Sequence, residues 1–396
     1  MLYAGRCFCF ARMNTIIFTT CGVVVLMLVV YDIYATILHA RARSGPVGER
    51  LNRGVWRAAR FIAFKLPRQR RHRFLNPFGP LLLPMLIIVL IIMLVLGFAL
   101  IYLPRMPAHF AINPASASTG SLVEAIYFSG VTLTTVGYGD IAPRAVDVRF
   151  IALVESASGF ALISLAVTYL ITVYGALERK RAVALSFYHQ AEEGANVGSF
   201  IAHHFVAGKF YGLDATLRAA SRDLQELLES HIEHPVIHYF HPVEVYKSLP
   251  RVLFLALETC VVIRSCLDPE EYAAMHDHPE VRTLEATVRH VLDELVRSLR
   301  LERRTRRRTE TKFDESKRWR ERYRQTLRQL KSAGIKTRVD VDAGLEEYGG
   351  RREDWEAQLH RFATYLGYDW DEVTGDAGLQ YAADEEMETP HVETAL

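Results

Sequence analysis

The chain has 396 residues, a nearly balanced charge of 47 basic against 45 acidic residues, and five cysteines. That length allows two or three domains. The cysteines form no CxxC pair, so no disulfide scaffold is implied, and a reducing compartment fits the part that carries Cys260 and Cys266.

The average composition looks soluble only because the hydrophobicity is concentrated in three blocks. Residues 15–38 are apolar apart from Asp32, residues 80–103 carry no charge, and residues 148–177 are apolar apart from Arg149 and Glu155. Each reaches the ~20 residues a helix needs to cross a bilayer. The first block exceeds the ~7–15 apolar residues of a signal peptide and no A-x-A site comes after it, so it reads as a retained helix. Met13 is an alternative start, because the residues before it carry no interpretable signal. Asp32, near the inner end of this span, is expected to pair with an arginine of the next loop or to anchor the span.

Eleven basic residues, Arg41 to Arg73, come after the first span, whereas residues 104–120 hold only Arg105. The positive-inside rule then puts the first loop in the cytoplasm and the second outside. The N-terminus is expected outside and everything after Leu177 in the cytoplasm, in a multi-pass protein of the cell membrane. Within residues 45–66, Leu51, Val55, Ala59, Ile62 and Leu66 share one helical face, with arginines opposite. This predicts a helix on the membrane surface, with anionic lipid as a partner for the basic 41–73 segment. The arginine spacing also resembles a voltage sensor, but the stretch is too polar to span and only one span precedes it.

Residues 121–134 are too short to cross. Ser121 with Glu124 three residues on reads as a capping box opening a short helix. That helix must enter the membrane and return, which requires backbone that is buried or lines a wet cavity. It runs into "TLTTVGYGDIAP", Thr132 to Pro143. Gly137 and Gly139 can take positive φ, and alternating them with Val136 and Tyr138 turns successive carbonyls to one side. Stacked carbonyl rings replace the water shell of a potassium ion, and Thr135 adds a hydroxyl at the inner end. The C-terminus of the short helix would aim its partial negative charge at the pore centre.

In its full context, "YFSGVTLTTVGYGDIAP" between two spans resembles the pore of the potassium channel family, most closely the bacterial channels with two spans around one pore loop. The resemblance covers about a quarter of the chain, and TVGYG is that family's filter signature. It implies a selectivity filter of Thr135, Val136, Gly137, Tyr138 and Gly139, with Asp140 at the outer mouth. Tyr127 and Phe128 fall at the family's aromatic cuff, though Phe128 has no hydroxyl to brace the filter tyrosine. Val131 falls where some bacterial members carry a glutamate paired with the outer aspartate, so their filter inactivation is in doubt here. Thr134 completes the filter support. Gly159 matches the inner-helix hinge, and Ile163, Val167 and Ile171 would line the cavity and gate. One filter per chain implies a homotetramer. Glu155, four residues before Gly159, is a structural carboxylate behind the pore helix or a modulator of the cavity.

The rest is rich in helix formers. Leu217, Leu224, Leu227 and Leu228 form one apolar face, and Leu284, Val288, Val291, Leu295 and Leu299 another. Residues 250–267 read as a buried core helix. Trp355, Leu359, Phe362 and Leu366 suggest one more amphipathic helix. His231, His234, His238 and His241 have spacings compatible with a metal site or pH sensor, but Pro235 interrupts them and packing is the simpler account. The basic run Arg303–Arg308 is interleaved with Glu302, Glu310, Asp314 and Glu315, which favours a solvated helix; no nucleic-acid motif surrounds it. No GxGxxG, P-loop or catalytic arrangement stands out, so an enzyme is not expected, and no cofactor beyond permeant K⁺.

The expected fold class is an all-α membrane protein, a tetrameric potassium-channel pore module plus a mostly helical cytoplasmic domain. Its parts would be residues 1–40 (first span), 41–79 (interfacial segment), 80–177 (pore module), 178–300 (helical domain), 301–338 (basic helix), 339–375 (small helical segment) and 376–396 (acidic disordered tail). The expected function is passive K⁺ conduction, gated by inner-helix motion coupled to the cytoplasmic domain. The alternatives are a weakly selective cation channel, or a membrane-anchored helical scaffold or enzyme with a vestigial pore.

Overall fold

The computed structural model describes residues 2–39, 45–112, 121–191, 196–301 and 311–375. In chain order the elements are α1 (Leu2–Ile33), α2 (Pro46–Ala63), α3 (Arg68–Leu75), α4 (Phe78–Tyr102), β1 (Phe110–Ile112), α5 (Leu122–Leu133), β2 (Ile141–Pro143) and α6 (Val146–Gln190). They continue with α7 (Val197–His203), β3 (Phe205–Val206), β4 (Lys209–Phe210), α8 (Leu213–Glu233), α9 (Leu249–Cys266), α10 (Ala273–His276), α11 (Pro279–Ser298), α12 (Thr311–Ser332), α13 (Val341–Glu353), α14 (Glu356–Leu366) and α15 (Trp370–Thr374). The chain is an all-α membrane protein: three stretches, Met13–Leu38, Arg68–Arg105 and Val146–Gln190, contain helices long and apolar enough to cross a membrane. The basic run Arg303–Arg308 and the acidic tail 376–396 lie outside the described residues.

The chain divides into two compact units. The first comprises Met1–Arg53 and Leu81–Tyr174. Its core gathers Val29 of α1, Leu86, Leu90, Leu94, Phe98 and Tyr102 of α4, Ala125, Phe128 and Leu133 of α5, and Leu162 of α6. A side chain at Gly22 would lie 2.5 Å from the Gly97 carbonyl oxygen, so α1 and α4 cross where both are small. Asp32 acts as a remote helix cap. Its Oδ1 accepts from the Val47 amide at 2.7 Å and the Gly48 amide at 3.4 Å, where α2 begins. A carboxylate suits the positive end of a helix.

The second unit comprises Gly54–Pro80 and Gly175–Leu396. Its axis is α9, of whose 18 residues all but Arg264 are buried. Such a helix has no polar face to give to water, hence its run of Val, Leu, Ile and Cys. Around it pack α8 with Leu217, Leu224 and Leu227, α11 with Leu284, Val288, Val291 and Leu295, and α14 with Leu359, Phe362 and Leu366. Both apolar faces expected from the sequence are therefore buried, and so is the Trp355 to Leu366 stripe. Residues 341–374 are not a separate appendage: Tyr348 of α13 donates to Glu258 of α9, and Arg352 reaches Glu258 at 2.6 Å and Glu356 at 3.0 Å. A short hairpin, β3–β4, interrupts the helices (Phe205 opposite Phe210).

In the segment after the first span, one face of α2 is buried within the protein. The buried stripe of α2 is Asn52, Trp56, Ala59 and Ala63, whereas Val55 is only half-buried and Ile62 is exposed. Trp56 Nε1 donates to the Tyr365 carbonyl at 3.2 Å, and Arg60 donates to the Thr364 carbonyl at 3.0 Å. Arg68 pairs with Asp369 at 3.1 Å and with Asp371 at 3.0 Å, and Arg71 also pairs with Asp369. Part of the basic charge is thus used inside the protein. The helix packs by its indole rather than by the Leu51–Leu66 stripe, since one Trp buries more apolar surface than the β-branched positions beside it.

Candidate functional site

α5 begins as expected: the Glu124 amide donates to Ser121 Oγ at 3.4 Å and the Ser121 amide donates to Glu124 Oε2 at 3.1 Å. A reciprocal cap of this kind satisfies two orphan donors and fixes where the helix starts. Its end is tapered. Thr134 Oγ1 donates to the Gly130 carbonyl at 2.7 Å, and the Val136 amide donates to the Val131 carbonyl at 3.0 Å.

The strip after α5 is the central geometric feature. Thr135, Gly137 and Gly139 have φ of +59°, +61° and +78°. Val136 and Tyr138, between them, are not among the positive-φ residues. A strict alternation of backbone hand flips each peptide plane relative to the next, so successive carbonyls can project to one side. Two of the three positions are glycines, which adopt this region without a Cβ penalty, and the third is the first residue after the helix cap. The strip is open in a single chain: Val136 is 52% and Tyr138 72% exposed.

Two supports hold the strip. β2, directly after Asp140, pairs antiparallel with β1, Ile141 opposite Ile112 and Pro143 opposite Phe110. Tyr127 Oη donates to Asp140 Oδ2 at 2.9 Å. Asp140 therefore takes a phenol from α5 as its partner. Phe128 turns the other way. Its ring meets Tyr102 and Phe110 edge-on, each at 5.0 Å, and so bolts α5 to α4 and β1.

Glu155 sits behind this assembly, fully buried. Tyr102 Oη donates to its Oε2 at 2.7 Å, and Ser129 Oγ contacts its Oε1. Ser129 Oγ also lies 3.0 Å from the Val95 carbonyl oxygen. Ser129 has one proton and two acceptors, so the triad ties α4, α5 and α6 in one polar knot. The sequence points to the carboxylate but not to Tyr102 or Ser129, although Ser129 is a hydroxyl within an otherwise apolar helix stretch. Gly159 lies one turn further along α6. A Cβ there would collide with the Leu133 carbonyl oxygen and come within 3.1 Å of Leu133 Cδ1. α6 runs through Gly159 without a break. Ile163, Val167 and Ile171 are all more than half exposed, on the side opposite the buried Leu162, Ala166, Tyr169 and Val173.

The histidines divide between two places. The rings of His231 and His238 lie 5.0 Å apart, and burial, then Lys180, holds the pKa of His238 down to about 3. His241 instead joins α3: His72 Nδ1 lies 2.7 Å from His241 Nε2, His72 Nε2 lies 3.0 Å from Glu372 Oε1, and His241 Nδ1 donates to the Leu366 carbonyl at 3.0 Å. Among the described residues no group of three or more His, Cys, Asp or Glu is arranged to hold a metal ion.

A family model described as "Ion channel" matches residues 87–175, which hold the strip, α5 and most of the membrane part of α6. An uncharacterized membrane protein, YdjJ of Bacillus subtilis (strain 168), is 28% identical over 273 residues, 69% of this chain and 76% of that protein. Protein LctB of Bacillus caldotenax is 42% identical over 81 residues, and protein LctB of Geobacillus stearothermophilus 35% over 81 residues. Each of those matches spans 19% of this chain and 60% of the LctB protein. No solved structure matches. The family match and the membrane-protein relatives support an ion channel located in a membrane.

Proposed function

We propose that the chain assembles as a homotetramer and conducts K⁺ passively through Thr135–Gly139. The observation that carries this reading is the alternation of positive φ at Thr135, Gly137 and Gly139. Four such strips around an axis supply rings of carbonyl oxygens in place of an ion's hydration shell. A single strip cannot close a ring, and the exposed faces of Tyr138 and of Ile163, Val167 and Ile171 are what neighbouring copies or the pore water would cover.

In this reading the C-terminal end of α5 points its dipole toward the cavity and favours a cation there. Asp140 adds negative charge at the outer mouth, held by Tyr127. The mechanism needs no enzyme chemistry and no cofactor; the protein supplies fixed dipoles and the ion moves down its gradient. The N-terminus lies outside and the second unit in the cytoplasm, by the excess of arginines between Arg41 and Arg73. α6 continues unbroken from Val146 to Gln190, so a displacement of the second unit has a rigid path to the cavity-lining face. Potassium efflux from liposomes holding the full chain tests conduction. Efflux that survives Gly137→Ala, or a functional monomer by cross-linking, overturns the proposal.

A further inference from the structure

The second unit contains a partly open pocket with a cavity volume of about 80 Å³. That is several times the roughly 10–15 Å³ that one water requires, and so fits a small polyatomic group. Its wall includes Lys180 and Arg181 of α6, Lys247 just before α9, and Asn76, Phe240 and His241. Pro80, in the first turn of α4, and Leu177 of α6 also line it.

The charge balance of this pocket is unusual. Lys180 is buried, and its ammonium donates to the Phe240 carbonyl at 3.3 Å. Among the described residues no carboxylate pairs with it. A buried cation without a counter-charge is costly, and proteins normally provide one. Arg181 adds a second positive charge beside it. Lys247 is paired, with Glu244 at 2.8 Å. Three cations thus stand against one carboxylate. His241 adds no negative charge, and its two ring nitrogens are already occupied by Leu366 and His72. Asn76 holds the wall in place by donating to the His241 carbonyl at 2.8 Å.

We propose that this pocket is a binding site for a phosphate-class anion, with Lys180 and Arg181 as its cationic ligands. The occupant supplies the counter-charge that Lys180 lacks. Phosphate suits the site because several donors converge from different elements, and a phosphate group offers several acceptor oxygens. The ligand chemistry is shared by an anionic lipid headgroup and by a soluble phosphate compound. Either would tie α6 to the loop before α9 and to the entry of α4, and so bias the position of the inner helix.

The test reads binding, not flux, so it stands or fails separately from K⁺ conduction. The full chain is purified in a zwitterionic detergent, and its thermal unfolding midpoint is measured with inorganic phosphate, with short-chain phosphatidic acid in mixed micelles, and with short-chain phosphatidylcholine. Binding to the folded state alone is expected to raise the midpoint by about 2–4 °C or more. A rise with both phosphate and phosphatidic acid assigns a soluble phosphate-type ligand. A rise with phosphatidic acid alone assigns a lipid headgroup. The Lys180→Met variant is expected to lose the rise. Arg181→Gln, at an exposed position where the fold tolerates the change, is expected to lose at least half of it. No rise with either anion, an equal rise with phosphatidylcholine, or an unchanged rise in Arg181→Gln overturns the proposal.

Discussion

Replacing Gly159 by alanine separates a close contact from a simple hinge. The new Cβ would overlap the carbonyl oxygen of Leu133, the last residue of α5, with Leu133 Cδ1 only 3.1 Å away and its carbonyl carbon 3.2 Å away. An ordinary carbon–oxygen contact is about 3.3–3.6 Å, so α5 and α6 must separate by roughly an ångström. Overpacking of this kind costs about 1–3 kcal/mol. Alanine returns about 1 kcal/mol in helix propensity. The net loss is thus about 0–2 kcal/mol per chain, while the displacement falls two residues before Thr135. The expected result is a modestly lowered unfolding midpoint and K⁺ efflux reduced at least tenfold. Gly350→Ala on α13, where a Cβ meets nothing within 4 Å, is the control and should gain about 0.5–1 kcal/mol with unchanged efflux. A Gly159→Ala protein that is stabilised like the control and conducts normally would refute the contact argument.

The same geometry gives three further outcomes. Glu155→Gln keeps an acceptor for Tyr102 and a donor for Ser129, so folding and efflux should be near wild type; Glu155→Ala strands the Tyr102 hydroxyl, while Ser129 keeps the Val95 carbonyl, and should cost about 1–3 kcal/mol, read by thermal unfolding. His238 is held neutral down to a pKa of about 3 by burial and Lys180, so the unfolded chain takes up the proton first as pH falls below the ordinary ~6.5. At pH 5.5 this one group should cost about 1.2 kcal/mol relative to neutral pH, and His238→Gln should flatten that part of the stability–pH curve. Burial raises the pKa of Asp369, but its hydrogen bond and ion pair with Arg71, then Arg68, lower it overall. Its contribution is present above the usual aspartate value of about 3.9 and lost as pH falls below that. At neutral pH Asp369→Ala should cost about 1.5–3 kcal/mol, because it strands the buried Arg71, whereas the part-exposed Arg68→Ala should cost about 0–1 kcal/mol.

The parts legible in the sequence are those whose signal is local. The capping box at Ser121, the glycine alternation in the strip, the strongly apolar α9 and the leucine faces of α8 and α11 each declare themselves within one or two helical turns. Long-range pairing has no such signal. His241 and Glu372 lie 169 and 300 residues along the chain from His72, so no spacing rule links the three. Trp56 is hidden for the same reason: its partner Tyr365 is 309 residues away. α2 carries two competing apolar stripes, and only the tertiary partner decides which is buried. Asp140 and Tyr127 are only 13 residues apart, but the irregular strip between them gives no periodicity from which to read the pair.

The central claim is K⁺ selectivity of a four-fold ring of Thr135–Gly139 carbonyls. The most direct measurement is the reversal potential of the full chain reconstituted in a planar bilayer, with K⁺ on one side and Na⁺ on the other. The predicted result is a reversal potential close to the K⁺ equilibrium potential, with the current abolished by Gly139→Ala. A current that reverses near zero under the same gradient would contradict it.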